Sequence, residues 1–171
     1  MESSAISCEI DEAERKRRLG RKSRIHGCCQ DVVGKGILEE DLKHKYPNIE
    51  FVGWQNKEQI NDRLKRTRAL IFPTLWYEGS PLTVPEVQAH GIPCIVTDCS
   101  SATDDIVQGE NGEIVGANAD EIAATINRFK DDEYVKRLSR NTYQMFDERR
   151  GSEKWYVDNL MKVYLEREKV Y

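Results

Sequence analysis

Two glutamates, Glu78 and Glu86, stand in the stretch PTLWYEGSPLTVPEVQAHGIPCIVTD, Pro73 to Asp98, between two apolar runs. A carboxylate accepts hydrogen bonds, and the paired hydroxyls of a sugar or a ribose donate them. Gly79 lets backbone approach a ligand without a Cβ in the way. A helix is predicted to start near Ser80 to Thr83. Its first N–H groups would lack partners and carry the positive end of the helix dipole, an arrangement suited to phosphate. Pro81 and Pro85 have no N–H, so the usable donors are Gly79, Ser80, Leu82, Thr83 and Val84. Glu78 and Glu86 would flank a diphosphate held there, which suits a sugar on one side and a ribose on the other. The same residues admit a plainer reading. Thr83-Val84-Pro85-Glu86 has the spacing of a capping box with proline inside the first turn, and Glu86 would then only cap a helix.

Positioning these groups requires a frame, and the chain around them alternates strand and helix patterns. IHGCCQDVV reads as a strand running into Gly34-Lys35-Gly36. ILEEDLKHKY reads as a helix stopped by Pro47, IEFVGW as a strand, and KEQINDRLKRT as a helix with Ile60 and Leu64 one turn apart. RALIFPT is predicted as a buried strand ended by Pro73. TVPEVQAH follows as a helix closed by Gly91, then the strands IPCIVTD and GEIV. Asn118 and Glu121 have capping-box spacing ahead of a helix to Phe129, and two more helices are expected near 131–147 and 152–168. Residues 1–8 read as frayed and IDEAERKRRL as a helix. The pattern predicts an α/β domain, a Rossmann-like parallel sheet with helices on both faces and right-handed crossovers. Ligands of such sheets sit at the carboxyl ends of the strands. The 171 residues fit a single domain, with 1–23 atypical.

FPTLWYEGSPLTVPEVQAHGIPCIVTD resembles the donor-site segment of the retaining glycosyltransferases of family 4, group 1, which have the two-domain GT-B fold. VVGKGILEEDL resembles that family's glycine turn, NIEFVGWQNKEQI its following strand, glycine and helix, and GENGEIV its Asn-Gly turn. The resemblance runs from about Val32 to Phe129. It implies a donor-binding domain for a nucleoside diphosphate sugar, UDP- or GDP-linked, in polysaccharide or glycoconjugate synthesis. It implies that Glu86 holds the ribose hydroxyls and that Glu78, the residue nearest the chemistry, contacts the transferred sugar. Backbone around Gly79, Ser80, Leu82 and Thr83 would hold sugar and diphosphate, and Trp54 and Gln55 would border the base. For Trp54 a partly buried strand-end aromatic is the competing reading, and Gly34 and Gly36 read as a structural turn.

The family's N-terminal domain, which would receive a saccharide or lipid-linked acceptor, is not visible in this sequence. Nor is an alignable Arg and Lys pair after a first strand to clamp the diphosphate. This chain alone is therefore expected to be inactive. A non-catalytic Rossmann-like binding or scaffolding module that kept the fold is the alternative.

Other chemistries fit less well. His26, His44 and His90 lack metal-ligand spacing, Asp104 and Asp105 are adjacent rather than Asp-x-Asp, and no metal or cofactor is expected. Ser80 lacks the second glycine of a nucleophile elbow. Cys94 reads as core, and no histidine is placed to activate Cys99. Five cysteines without framework spacing fit a reducing cytoplasm, and the polar N-terminus shows no secretory leader. The net charge of −4 hides seven Lys/Arg between Arg15 and Arg24. That run reads either as a solvated helix face or as peripheral contact with an anionic membrane. It has no interleaved aromatics, so nucleic acid is not an expected partner.

Overall fold

The computed structural model describes residues 5–9, 29–150 and 153–167. Six strands form one sheet: β1 (Ala5–Glu9), β2 (Cys29–Val33), β3 (Glu50–Gly53), β4 (Thr67–Phe72), β5 (Cys94–Thr97) and β6 (Gly112–Val115). Helices are α1 (Glu39–Lys45), α2 (Lys57–Leu64), α3 (Thr83–Gln88), α4 (Ala119–Arg128), α5 (Asp132–Arg150) and α6 (Glu153–Arg167), with a 3-10 segment at Ser101–Asp105. The strand order is β3-β2-β1-β4-β5-β6. That is the doubly wound order, with its reversal point between β1 and β4. No helix among the described residues is long and apolar enough to cross a membrane.

β2–β3, β4–β5 and β5–β6 pair in parallel, as the alternating pattern predicts. The first strand departs from expectation in two ways. Residues 1–8 read as frayed, yet Ala5–Glu9 fills the centre of the sheet. It also runs antiparallel to both neighbours, with Ala5 opposite Val33 and Ile6 opposite Ile71. The physical reason lies in the slot. β2 and β4 would each expose an unpaired backbone edge, which is costly when covered. A short segment without Gly or Pro satisfies both edges in either direction. Because β1 runs backwards, Glu9 pairs with Cys29 at the edge opposite the carboxyl ends of the other strands. The helix expected over residues 10–19, the basic run that overlaps it, Cys28 and the start of the strand predicted from Ile25 lie outside the described residues.

β4 is buried along its whole length and alternates its side chains between two cores. Leu70 and Phe72 join Leu64, Val84, Val87, Ile92, Cys94 and Val96 on one face, under α2 and α3. Ala69 and Ile71 join Ile95, Val115, Phe129, Val135 and Leu138 on the other, under α4 and α5. This is what a period of two in a doubly covered sheet requires. Arg68 is buried in the same strand. Its Nε donates to Phe129 O (2.5 Å) and its Nη1 pairs with Asp132 (2.7 Å), which ties β4 to the start of α5.

The helix ends are built locally. Asn56 and Gln59 form a complete capping box on α2. Asn118 accepts from Glu121 N–H (2.9 Å), and Glu121 reaches back to Gly116 N–H (2.8 Å). The buried Asn111 closes the GENG turn, accepting from Val107 N–H (2.7 Å) and donating to Asp105 O (2.9 Å). Gly112 beside it admits no Cβ, which would fall 2.3 Å from Cys94 O. α6 lies against α5, with Tyr156, Leu160, Val163 and Tyr164 exposed.

Candidate active site

Because β1 is antiparallel to both β2 and β4, the carboxyl ends of β2 to β6 share one edge. The loops leaving that edge carry the site residues singled out from the sequence except Thr83, which opens α3, and Glu86, which sits further along that helix. The loop after β4 lies beside the reversal point of the strand order, where a ligand crevice is expected.

This loop is pinned at both ends. Thr97, at the end of β5, donates its hydroxyl to Thr74 O (2.5 Å). Ser101 donates both its N–H (3.2 Å) and its hydroxyl (2.7 Å) to Glu78 O. Trp76 N–H donates to Thr74 Oγ1 (3.2 Å). Between the pins, Leu75, Trp76 and Tyr77 are exposed. Beyond them Pro81 is buried, and Val84 and Val87 lock α3 into the core against Phe72. Gln88 Nε2 then ties the end of α3 to Asp105 O (2.9 Å). Thr74, Thr97 and Ser101 escaped the sequence reading. Their only signal is a hydroxyl at or within a few residues of a strand's carboxyl end, which is common.

The two carboxylates sit on this fixed frame, Glu78 half-buried and Glu86 exposed. Among the described residues no hydrogen bond or ion pair engages either carboxylate. The capping-box reading of Glu86 does not hold. The N-cap of α3 is Leu82, which offers no side-chain cap, and Thr83 is already helical. Glu86 thus does no capping that would account for it. Gly79 is equally uncommitted. It does not need a positive φ, and a Cβ there would meet nothing within 4 Å. Open space adjoins it where a side chain would stand. Ser80 and Leu82 are exposed and Thr83 partly so.

The neighbouring loops complete the edge. Gly34 has φ 124° and donates its N–H to Gly53 O (2.9 Å), so this glycine serves a turn, as its spacing suggested. Trp54 is exposed rather than partly buried, at 63 % of its surface. Gln55 turns its amide back, donating to Val52 O (2.9 Å) and Trp54 O (3.2 Å). Cys94 is buried, and desolvation holds its thiol protonated. Cys99 lies at the edge, yet desolvation and the adjacent Asp98 carboxylate raise its pKa, the wrong direction for a nucleophilic thiolate.

The strand order and the two-sided cores define a Rossmann-like α/β domain with its candidate site at the carboxyl edge. The chain belongs to the glycosyl transferases group 1 family, whose pattern matches residues 32–145. It is 30% identical over 118 residues to the UDP-Gal:alpha-D-GlcNAc-diphosphoundecaprenol alpha-1,3-galactosyltransferase of Escherichia coli, covering 64% of this chain and 30% of that protein. Among solved structures it resembles the apo form of the lipopolysaccharide outer core galactosyltransferase WaaB. The TM-score is 0.64 at 25% identity, over 80% of this chain and 40% of that one. The fold also matches HepE of Anabaena in complex with UDP-glucose, at TM-score 0.61 and 16% identity, over 70% of this chain and 36% of that one. The chain spans less than half the length of each of these proteins.

Proposed function

We propose that this chain is the donor-binding domain of a retaining, family 4 glycosyltransferase. In this reading it binds a nucleoside diphosphate sugar, a UDP-hexose first, for transfer to a saccharide or lipid-linked acceptor at the cytoplasmic face of a membrane. The observation that carries the reading is the pair of uncommitted carboxylates, Glu78 and Glu86, on a loop and helix that everything around them holds still. A frame ordered before binding has less conformational entropy to lose when the ligand arrives. The names of the relatives support the donor class, since one uses UDP-Gal and a fold neighbour is seen with UDP-glucose.

Each residue then has a role. Glu86 accepts from the two ribose hydroxyls. Backbone N–H groups from Gly79 to Thr83 face the diphosphate and counter the charge that grows on it as the sugar's anomeric C–O bond breaks. Glu78 accepts from hydroxyls of the transferred sugar and fixes its orientation, while the acceptor oxygen forms the new bond on the same face. No metal or cofactor enters this scheme. In this reading the acceptor site belongs to a further domain, since the relatives run well beyond the length this chain covers. The exposed Tyr156, Leu160, Val163 and Tyr164 of α6 suit contact with that domain. Purified alone, the chain binds donor without transferring it.

Two observations favour the second reading, a binding module without catalysis. β1 runs backwards, so the chain that follows it leaves from the edge opposite the site. Among the described residues of the carboxyl-edge loops, Lys35 is the single Lys or Arg. Calorimetric titration of UDP-galactose into the chain and into Glu86→Ala tests the proposal. Saturable binding that the substitution weakens by about 1–3 kcal/mol, the scale of hydrogen bonds to a charged group, supports it. Equal binding by the two proteins, or none by either, overturns it.

A further inference from the structure

Glu78 and Glu86 are joined twice, once by the chain between them and once by a hydrogen-bonded path through the core. Resting on the donor-site reading above, we propose that Gln88 is a positioning residue for the donor. Through the 3-10 segment Ser101–Asp105 it sets where Glu78 stands relative to Glu86, and so governs how well the sugar is held once the nucleotide is bound.

The chain between the two carboxylates is a poor ruler. Gly79, Ser80 and Leu82 are exposed, and a Cβ on Gly79 would meet nothing within 4 Å. The second path is continuous. Glu86 and Gln88 lie two residues apart on α3, about 200° around the helix, so the first faces solvent and the second the core. Gln88 is 5 % exposed and its Nε2 donates to Asp105 O at 2.9 Å. Asp105 ends the 3-10 segment that Ser101 begins. Ala102 within that segment has no exposed surface, and the buried Ser100 caps it, accepting from Ala102 N–H at 3.3 Å. At its other end Ser101 donates its N–H and its hydroxyl to Glu78 O. A shift of Asp105 therefore moves the residue that holds Glu78.

The effect falls on one carboxylate more than the other. Val84 and Val87 lock α3 into the core, so Glu86 and the first N–H groups of the helix keep their places when Gln88 loses its amide. Asn111 donates to the same Asp105 oxygen at 2.9 Å, and a carbonyl has lone pairs for both donors. Without Gln88 that oxygen is still satisfied, so no buried acceptor is stranded and the fold is kept. What changes is the tie between α3 and the 3-10 segment, and with it the placement of Glu78. The nucleotide is then held as before and the sugar less well.

The test is calorimetric affinity for UDP-galactose and for UDP, measured on the wild-type chain, Gln88→Met, Glu78→Ala and the double variant. The ratio of the two affinities reads what the sugar contributes. Gln88→Met is expected to lower that ratio about fivefold, the scale of one neutral hydrogen bond, with the affinity for UDP nearly unchanged. In the Glu78→Ala background the same substitution is expected to change the ratio by less than about twofold, because the group it positions is gone. Ser101→Ala, at the other end of the segment and partly exposed, should give the same split at smaller size, and it carries the test if Gln88→Met does not fold. A merely structural Gln88 would weaken UDP and UDP-galactose together, or act equally with and without Glu78. Either result overturns the inference and leaves the donor-site reading standing, as does a ratio that survives both Gln88→Met and Ser101→Ala. If neither ligand binds the wild-type chain, both fall.

Discussion

The two halves of the sheet are built to different standards. β4, β5 and β6 are covered on both faces, and α3 hangs from their core by Val84, which has no exposed surface. β2 and β3 are covered far less. β3 has no fully buried residue and α1 buries none either, while Ile37 and Leu38 ahead of it stand 99 % and 59 % exposed. The loop bearing Glu78 and the helix bearing Glu86 belong entirely to the first half. Trp54 and Gln55, the residues expected to border a base, belong to the second. A rigid half is thus paired with one held mainly through strand pairing. On the proposed reading, this suits a site where the diphosphate needs exacting geometry and the base tolerates adjustment.

The sharpest way to break this comparison is to truncate one apolar side chain in each half. Phe72 is 1 % exposed and bridges β4 to α3. Phe72→Ala is expected to cost about 3–5 kcal/mol, the range for a buried aromatic replaced by a cavity, and to remove nucleotide binding with it. Leu38→Ala is expected to change stability by no more than about 0.5 kcal/mol, as at other exposed sites. Urea unfolding of both variants measures the gap. Similar losses would mean that the β2–β3 half carries a core of its own.

The weaker half has one strong internal tie. Asp31, in β2, is 1 % exposed and accepts from Arg63 Nη1 of α2 at 2.5 Å. The pair clips the thin part of the sheet to the helix that also packs under the thick part. Arg63→Met is expected to cost about 3 kcal/mol, because it strands a buried carboxylate. Adding Asp31→Val should recover most of that loss, since an apolar pair needs no compensation. Failure of the double variant to recover would show that the charge, rather than the packing, holds β2 in place.

Much of this architecture was legible in the sequence, and the misses have physical causes. β4 could be found because a strand buried on both faces must read as a continuous apolar run, and Pro73 had to end it. The site loop could be placed because a carboxyl-edge loop follows from the alternation of strand and helix. β1 could not be found. AISCE has neither length nor marked alternation. It is held by the two open edges it fills, a property of β2 and β4 rather than of its own residues. The capping role offered for Glu86 failed for a related reason. The Thr83–Glu86 spacing allows a box, but the helix starts one residue earlier than that box needs, with Leu82 at the cap. Spacing alone does not fix that register. The pins on the site loop were illegible because each joins residues 23 apart in sequence.

Those pins allow the smallest and most discriminating change. Thr97 is buried and its hydroxyl donates to Thr74 O, so Thr97→Val keeps the shape and removes one hydrogen bond. Its expected cost is about 1 kcal/mol of stability, or somewhat more if Thr74 O is left without a partner. Ser101→Ala should cost less, because the Ser101 N–H still holds Glu78 O. The comparison of halves predicts more than these stabilities. If the site loop works by being ordered in advance, releasing it should weaken UDP-galactose binding through a less favourable entropy, while the enthalpy of the remaining contacts is kept. The loss should follow the pin removed, Thr97 before Ser101. Calorimetry on the two variants reads this directly. Unchanged affinity in both would show that the loop orders only on binding, and that the rigidity of the β4–β6 half serves stability rather than recognition.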